Sequence, residues 1–145
     1  MKLYFSEINQ HNLCVFTSII FLTNTILALC YEYYFYATLF LILTITSVMH
    51  HLHKNIYTLL LDKIPVYSII LYGGYLLYKK FDITSRRNVL FIGCIVSTFL
   101  VTVYLYLYGY CTNQYCYNID NKIGALYHAI MHIICSLGHN LIILL

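Results

Sequence analysis

The chain has 145 residues, of which 61% are hydrophobic and 9% charged, and its mean hydropathy is +0.76. A soluble globular domain needs more polar surface than this composition provides, so that class is excluded. The net charge of +3 comes from few residues in connecting segments, which excludes the basic footprint of a nucleic-acid-binding protein. We expect one transmembrane domain over residues 1–145, with the lipid bilayer as its surroundings.

Five apolar segments are long enough to cross the bilayer, because a helix of ~20 residues spans ~30 Å of hydrocarbon. They lie at about 13–31, 36–52, 63–79, 88–109 and 123–145. Lipid offers no hydrogen-bond partners, and an α-helix satisfies its own backbone, so each segment is predicted to be helical. The sequence therefore predicts an all-α, multi-pass membrane helix bundle.

The loops between the predicted spans differ in charge. The segment KKFDITSRRN carries Lys79, Lys80, Arg86 and Arg87 against one acid, whereas CTNQYCYNIDNK has one acid and one base. Short loops rich in lysine and arginine stay in the cytosol. The pattern predicts that the loop from Lys79 to Arg87 is cytosolic and that the opposite membrane face is lumenal or extracellular.

Polar residues within the spans gather towards that opposite face. Ser47 and His51 lie four residues apart at the end of the second span, and His128 and His132 have the same spacing on the fifth. Residues i and i+4 project from one side of a helix. His128 and His132 are therefore close enough to chelate one metal ion.

Asp62 follows His51 by eleven residues, which suits a helix, a short turn and a helix that returns from the same membrane face. Pro65 is the only proline, and its missing N–H is no loss in the first turn of a helix. We therefore expect Asp62 to open the third span and to face His51.

The order of the spans brings these residues to one membrane face. The second span ends at His51, the third begins at Asp62, and the fifth begins shortly before His128. Three neutral imidazoles and a water form an open zinc site of the catalytic type, in which zinc makes the water more acidic. Asp62 would orient or deprotonate that water, and the Ser47 hydroxyl would donate to a developing oxyanion. This combination predicts a hydrolase.

Each of these residues also has a simpler explanation. A histidine pair four residues apart often binds no metal. A serine in a membrane helix often donates to the carbonyl four residues earlier, and an aspartate at a helix start is often only a favourable dipole partner. What favours a site is that all five residues are predicted at one membrane depth.

The remaining histidines and cysteines receive other roles. His50 and His53 are rotated away from His51 by ~100° and ~200° on a helix, which predicts interfacial or supporting positions. His139 is expected to make a buried hydrogen bond, and His11 is expected to be solvated. Cys111 and Cys116 share a loop and could pair in an oxidising compartment. Gly73 and Gly74 would permit close helix contact.

The series Ser47-xxx-His51, Asp62 and His128-xxx-His132 resembles the signature of the CREST superfamily of membrane hydrolases. The short gap in SVMHHLHKNIYTLLLDKI and the HAxxH around His128 resemble the alkaline ceramidase branch most. The resemblance implies that His51, His128 and His132 bind Zn²⁺ and that Ser47 and Asp62 contact the zinc-bound water. It also implies cleavage of ceramide, or a similar membrane lipid, at an amide or ester bond.

The chain departs from that family in its number of spans. Family members have seven, whereas five are predicted here, with one span between Asp62 and His128 where the family has three. Loss of an even number of spans keeps Asp62 and His128 at the same membrane face. A homodimer could replace the missing helices.

Two other functions compete with a zinc hydrolase. In the first, the metal only joins helices of a non-catalytic membrane protein. In the second, the histidines of a small transporter relay protons or metal ions, which predicts polar residues through the whole membrane depth. The sequence places them near one end, with only His139 deeper.

Overall fold

The computed structural model describes residues 13–145 and contains five helices long and apolar enough to cross a membrane. They are α1 (Leu13–Cys30), α2 (Tyr34–His53), α3 (Ile56–Lys79), α4 (Arg86–Val103) and α5 (Asn121–Leu144). No β-strand occurs in residues 13–145. The predicted all-α membrane bundle is confirmed, and His11 lies outside the described residues.

A tight turn joins α2 to α3. Lys54 ends α2 in the left-handed conformation, with a φ of 45°. The Asn55 side chain then accepts a hydrogen bond from the Thr58 N–H at 2.9 Å, and the Thr58 hydroxyl contacts the Asn55 N–H at 3.4 Å. This reciprocal capping starts α3 at Ile56.

The expectation that Asp62 opens the third span was therefore wrong. The helix begins six residues earlier, at Ile56, so Asp62 lies in its second turn and Pro65 lies inside it. Pro65 cannot donate to the Leu61 carbonyl. Membrane helices tolerate such an interruption where their surroundings satisfy the freed group. The capping residues, and not the proline, set the start of this helix.

Helix α1 lies between α2 and α5. It packs against α2 and α5, α2 packs against α3, and α4 packs against α5. The core between them is aromatic and aliphatic, and its most buried members include Phe21, Ala28, Tyr36, Phe40, Ile69 and Ile143. On α4 only Ile95 is buried, so this helix is the outermost of the five.

Contacts at one end of the bundle confirm the expected order of the spans. Lys80, just after α3, donates from Nζ to the carbonyls of Ile143 at 2.7 Å and Ile142 at 3.1 Å at the end of α5. The same ammonium lies 4.8 Å from the centre of the Tyr33 ring, at the start of α2. Three helix ends thus meet at the face opposite the histidines.

Beyond α4 the chain continues as an irregular helical segment. A π-helical turn covers Tyr104–Tyr108, a short α-helix covers Gly109–Thr112, and a 3₁₀ turn covers Tyr115–Tyr117. With α4 they form one apolar span, Arg86–Tyr117. The fourth span is therefore longer than the predicted 88–109.

The two adjacent glycines of α3 have different surroundings. A Cβ on Gly73 would lie 2.7 Å from the Tyr36 hydroxyl and 3.0 Å from the His139 ring, whereas a Cβ on Gly74 would meet nothing within 4 Å. Only Gly73 permits the close contact that was expected of both glycines.

Replacing Gly73 by alanine is expected to lower the stability of the bundle. Overpacking of this kind typically costs about 1–3 kcal/mol. Gly74→Ala is the matched control, because its new methyl group meets open space. Thermal unfolding of the two variants in the same detergent would measure the difference. Equal melting temperatures would show that the contact between Gly73 and Tyr36 does not limit the packing.

Candidate metal centre

Three histidines from two helices converge at one end of the bundle. His51 comes from the last turn of α2, while His128 and His132 come from successive turns of α5. One ring nitrogen from each lies within 4.8 Å of the other two. The ring centres are 5.0 Å apart for His51 and His128, 5.3 Å for His51 and His132, and 4.7 Å for His128 and His132.

The pattern of α2 explains why His51 points inwards. The buried positions of this helix recur every three or four residues and form one continuous face: Tyr36, Phe40, Leu43, Thr44, Ser47 and His51. His51 ends that face and is only 7% exposed. On α5, Ala129, His132 and Ser136 form the corresponding buried face. The two faces meet at the histidines.

The donor set fits a transition-metal ion. Imidazole is a preferred ligand of zinc, at Zn–N distances of ~2.0–2.1 Å, which place the nitrogens of a tetrahedral site ~3.3 Å apart. Ligand atoms within 4.8 Å of one another reach that separation by small side-chain rotations. A buried group of His51, His128 and His132 can therefore hold a metal ion.

Ser47 lies on the same buried face as His51 and is 2% exposed. Its hydroxyl oxygen is 2.9 Å from the hydroxyl oxygen of Ser18 on α1. Its partner is therefore a side chain of another helix and not the carbonyl four residues earlier in α2. Ser18 itself donates to the Cys14 carbonyl at 2.8 Å.

Asp62 is buried in the wall between α2 and α3. The Thr46 hydroxyl donates to its Oδ1 at 3.3 Å, and Thr46 immediately precedes Ser47. A location in the second turn of α3 does not fit a simple helix-dipole partner, because that effect is strongest within the first turn. The carboxylate is instead bonded to α2 through the Thr46 hydroxyl.

The other histidines lie outside the group. His50 contacts the Thr58 hydroxyl through Nδ1 at 3.4 Å, and its ring centre is 5.4 Å from that of His51. His53 is exposed. His139 makes a hydrogen bond between its Nδ1 and the Tyr36 hydroxyl, which confirms the buried hydrogen bond expected of it.

Cys111 and Cys116 do not form a disulfide, since both are free thiols. Cys111 is exposed at the end of the fourth span, and the Cys116 thiol lies 4.0 Å from the Met131 sulfur. Cys30 and Cys94 lie within the spans and are exposed on the surface of the bundle.

The sequence analysis did not identify three residues that make contacts near the histidines: Thr17 and Ser18 on α1, and Lys63 on α3. The Thr17 hydroxyl oxygen lies 3.1 Å from Nδ1 of His132, and the Ser18 hydroxyl contacts the Ser47 hydroxyl. The adjacent pair of hydroxyl residues in CVFTSII was the available signal. Lys63 was missed as well: its ammonium donates to the Tyr106 hydroxyl at 2.9 Å and thereby joins α3 to the π-helical turn.

The purified protein is expected to hold about one metal ion per chain, as three imidazoles around a single position imply. His128→Ala and His132→Ala should each release the ion and lower the melting temperature, because metal binding stabilises the folded state. Elemental analysis after size-exclusion chromatography would measure the metal content. His53→Ala is the matched control, since His53 is exposed outside the group. Full metal content in His132→Ala would contradict this assignment.

No known protein-family model matches the chain, and no curated protein or solved structure is significantly similar to it. The chemistry of the site must therefore be argued from its own side chains, together with the five-residue pattern of the sequence.

Proposed function

We propose that this protein is a zinc-dependent intramembrane hydrolase of a lipid amide or ester, similar to the alkaline ceramidases of the CREST superfamily. The observation that carries the proposal is the number of ligands. Within residues 13–145, no fourth histidine, cysteine, aspartate or glutamate joins His51, His128 and His132. A structural zinc normally has four protein ligands, whereas a catalytic zinc keeps one position open.

Zinc is the metal we propose because it commonly binds three imidazoles and needs no redox partner. When bound, zinc acidifies a coordinated water and polarises a carbonyl oxygen. The group is largely shielded from bulk water, with His51 and His132 at 7% and 5% exposure. Such shielding strengthens electrostatic interactions with a substrate.

Asp62 is the proposed general base. Thr46 donates to one carboxylate oxygen and holds the group beside α2, and the proposed role of the carboxylate is to accept a proton from the attacking water. Water adds to the carbonyl carbon, the bond to nitrogen or oxygen breaks, and the proton passes to the leaving amine or alcohol. The Ser47 hydroxyl is the proposed donor to the oxyanion that forms at the carbonyl, a role in which it turns its single proton from Ser18 to the substrate.

The acyl chain of the substrate would approach from the bilayer. Helices α3 and α4 each contact α5 but scarcely contact each other, and the proposed route for the acyl chain lies between them. The contact of Lys63 with Tyr106 lies on this route, near the membrane face of the histidines. A membrane lipid with a polar head group, such as ceramide, suits this arrangement.

Asp62→Asn is expected to retain zinc and to lower hydrolysis of a long-chain ceramide by at least ~10², because the base is lost. Ser47→Ala should retain zinc and lower turnover by up to ~10² to 10³, the usual loss for an oxyanion donor. Fatty-acid release in lipid nanodiscs, normalised to zinc content, would measure both effects.

Ser68→Ala is the control for those variants, since this serine of α3 bonds only the Ile64 carbonyl of its own helix. If zinc-loaded wild-type protein releases no fatty acid from ceramides, lysolipids or acyl esters, the enzyme proposal fails.

A structural metal site is the second candidate, and one feature of the packing favours it. Helices α2 and α5 meet mostly through side chains, such as the bond between Tyr36 and His139. A metal ion held by His51, His128 and His132 would join these two helices directly. Zinc-dependent stability without any lipid turnover would support this function.

We propose further that the metal centre faces the lumen or the cell exterior and that the loop from Lys79 to Arg87 is cytosolic. Four basic residues support this orientation. Asp82 is the only acid of the loop, and hydrogen bonds from Thr84 hold the pKa of its carboxyl below the usual value, so it stays ionised.

An impermeant thiol reagent should label Cys111 on intact cells that display the protein, because this thiol is exposed at the metal-centre end. The test uses a chain in which Cys111 is the single cysteine. A second single-cysteine chain with Ile83→Cys, at an exposed position of the basic loop, should be labelled only after permeabilisation. The reverse pattern of labelling would overturn the proposed orientation.

A further inference from the structure

The Thr17 hydroxyl contacts the Nδ1 atom of His132, one of the three proposed metal ligands. The Thr17 hydroxyl oxygen on α1 lies 3.1 Å from Nδ1 of His132 on α5. One turn further along α1, the Phe21 ring packs against the same imidazole, with ring centres 5.2 Å apart. Two side chains of one helix therefore fix the orientation of the His132 ring.

The Thr17 hydroxyl has a single proton to donate, and its neighbours are two backbone carbonyls and the His132 ring. Its oxygen lies 3.1 Å from the Leu13 carbonyl and 3.2 Å from the Cys14 carbonyl, and carbonyls can only accept. Donation to a carbonyl of the preceding turn is the usual arrangement for a threonine in a helix. The oxygen of Thr17 is then left to accept a hydrogen bond from His132.

This direction of donation determines the tautomer of the histidine. If Nδ1 of His132 donates to Thr17, the proton of the neutral ring is on Nδ1 and the lone pair is on Nε2. Only a deprotonated ring nitrogen binds a metal ion. Nε2 is the nitrogen that this arrangement leaves for the group with His51 and His128.

We propose that Thr17 is a positioning residue of the metal centre, which holds His132 as the Nδ1–H tautomer with Nε2 available for the metal. The inference rests on the metal centre of the proposed function and assigns a residue of α1 to that centre. Partners of this kind set the tautomer, ring orientation and basicity of metal-binding histidines in proteins. Here the partner is a hydroxyl group from a helix that supplies no ligand itself.

Thr17→Val tests the proposal, because valine keeps the shape of threonine and removes its hydroxyl. Thr25→Val is the matched control: Thr25 is likewise a threonine of α1, and its hydroxyl bonds only the Phe21 carbonyl, at 3.3 Å. Thr17→Ser restores the hydroxyl and should restore the wild-type behaviour.

The first measurement needs no metal. Nitrogen-15 chemical shifts of the His132 ring, assigned by comparison with His132→Gln, distinguish a protonated from a deprotonated Nδ1. We expect a protonated Nδ1 in the metal-free wild type and in Thr25→Val, and a loss of this preference in Thr17→Val. A protonated Nε2 in the wild type, or an unchanged tautomer in Thr17→Val, would overturn the proposal.

The second measurement is zinc affinity by competition with a chelator. Loss of such a partner typically weakens metal binding by ~10- to 100-fold, so Thr17→Val should lose at least ~10-fold while Thr17→Ser and Thr25→Val keep the wild-type affinity. Unchanged affinity in Thr17→Val would overturn the role of Thr17. Absence of zinc binding by the wild type would instead overturn the metal centre, and the tautomer measurement would still test the contact with Thr17.

Discussion

Hydrocarbon offers no hydrogen-bond partner, so every polar side chain buried in a membrane bundle has to find one within the protein. Within residues 13–145, no buried side-chain nitrogen or oxygen lacks a partner. Asn24 on α1 shows the consequence. It is fully buried, donates to the Ser136 carbonyl and the Asn140 side chain at 2.8 Å, and accepts from the Ser136 hydroxyl at 2.6 Å. This network fixes α1 against α5.

The candidate metal centre depends on that fixed contact. Thr17 and Ser18 lie on α1 one to two turns before Asn24, and they contact His132 on α5 and Ser47 on α2. Helix α1 packs against both α2 and α5, the two helices that carry the histidines. A helix that supplies none of the three histidines therefore contacts both of the helices that do.

Polar residues deeper in the bundle join α1 to α5. The sequence placed polar groups near one end of the spans, whereas the structure also buries Asn24 and Ser136 further along α1 and α5, where the half-buried Asn140 is bonded to Asn24. Their amides and hydroxyl are bonded to one another. A network closed in this way joins two helices and offers no open series of sites to an ion, so it favours neither transport nor hydrolysis.

The sequence by itself determined the five spans, their order and the alignment of His128 with His132, because hydrophobic length and helical spacing are local properties. It misplaced the start of α3, since the proline at position 65 was taken as the mark of the first turn, whereas the capping pair of Asn55 and Thr58 begins the helix. Only the tertiary structure decided that Thr17 contacts His132 and that Gly73, but not Gly74, meets another helix. Helical periodicity places residues on a shared face, but the neighbour of that face depends on how whole helices rotate and pack to satisfy every buried polar group.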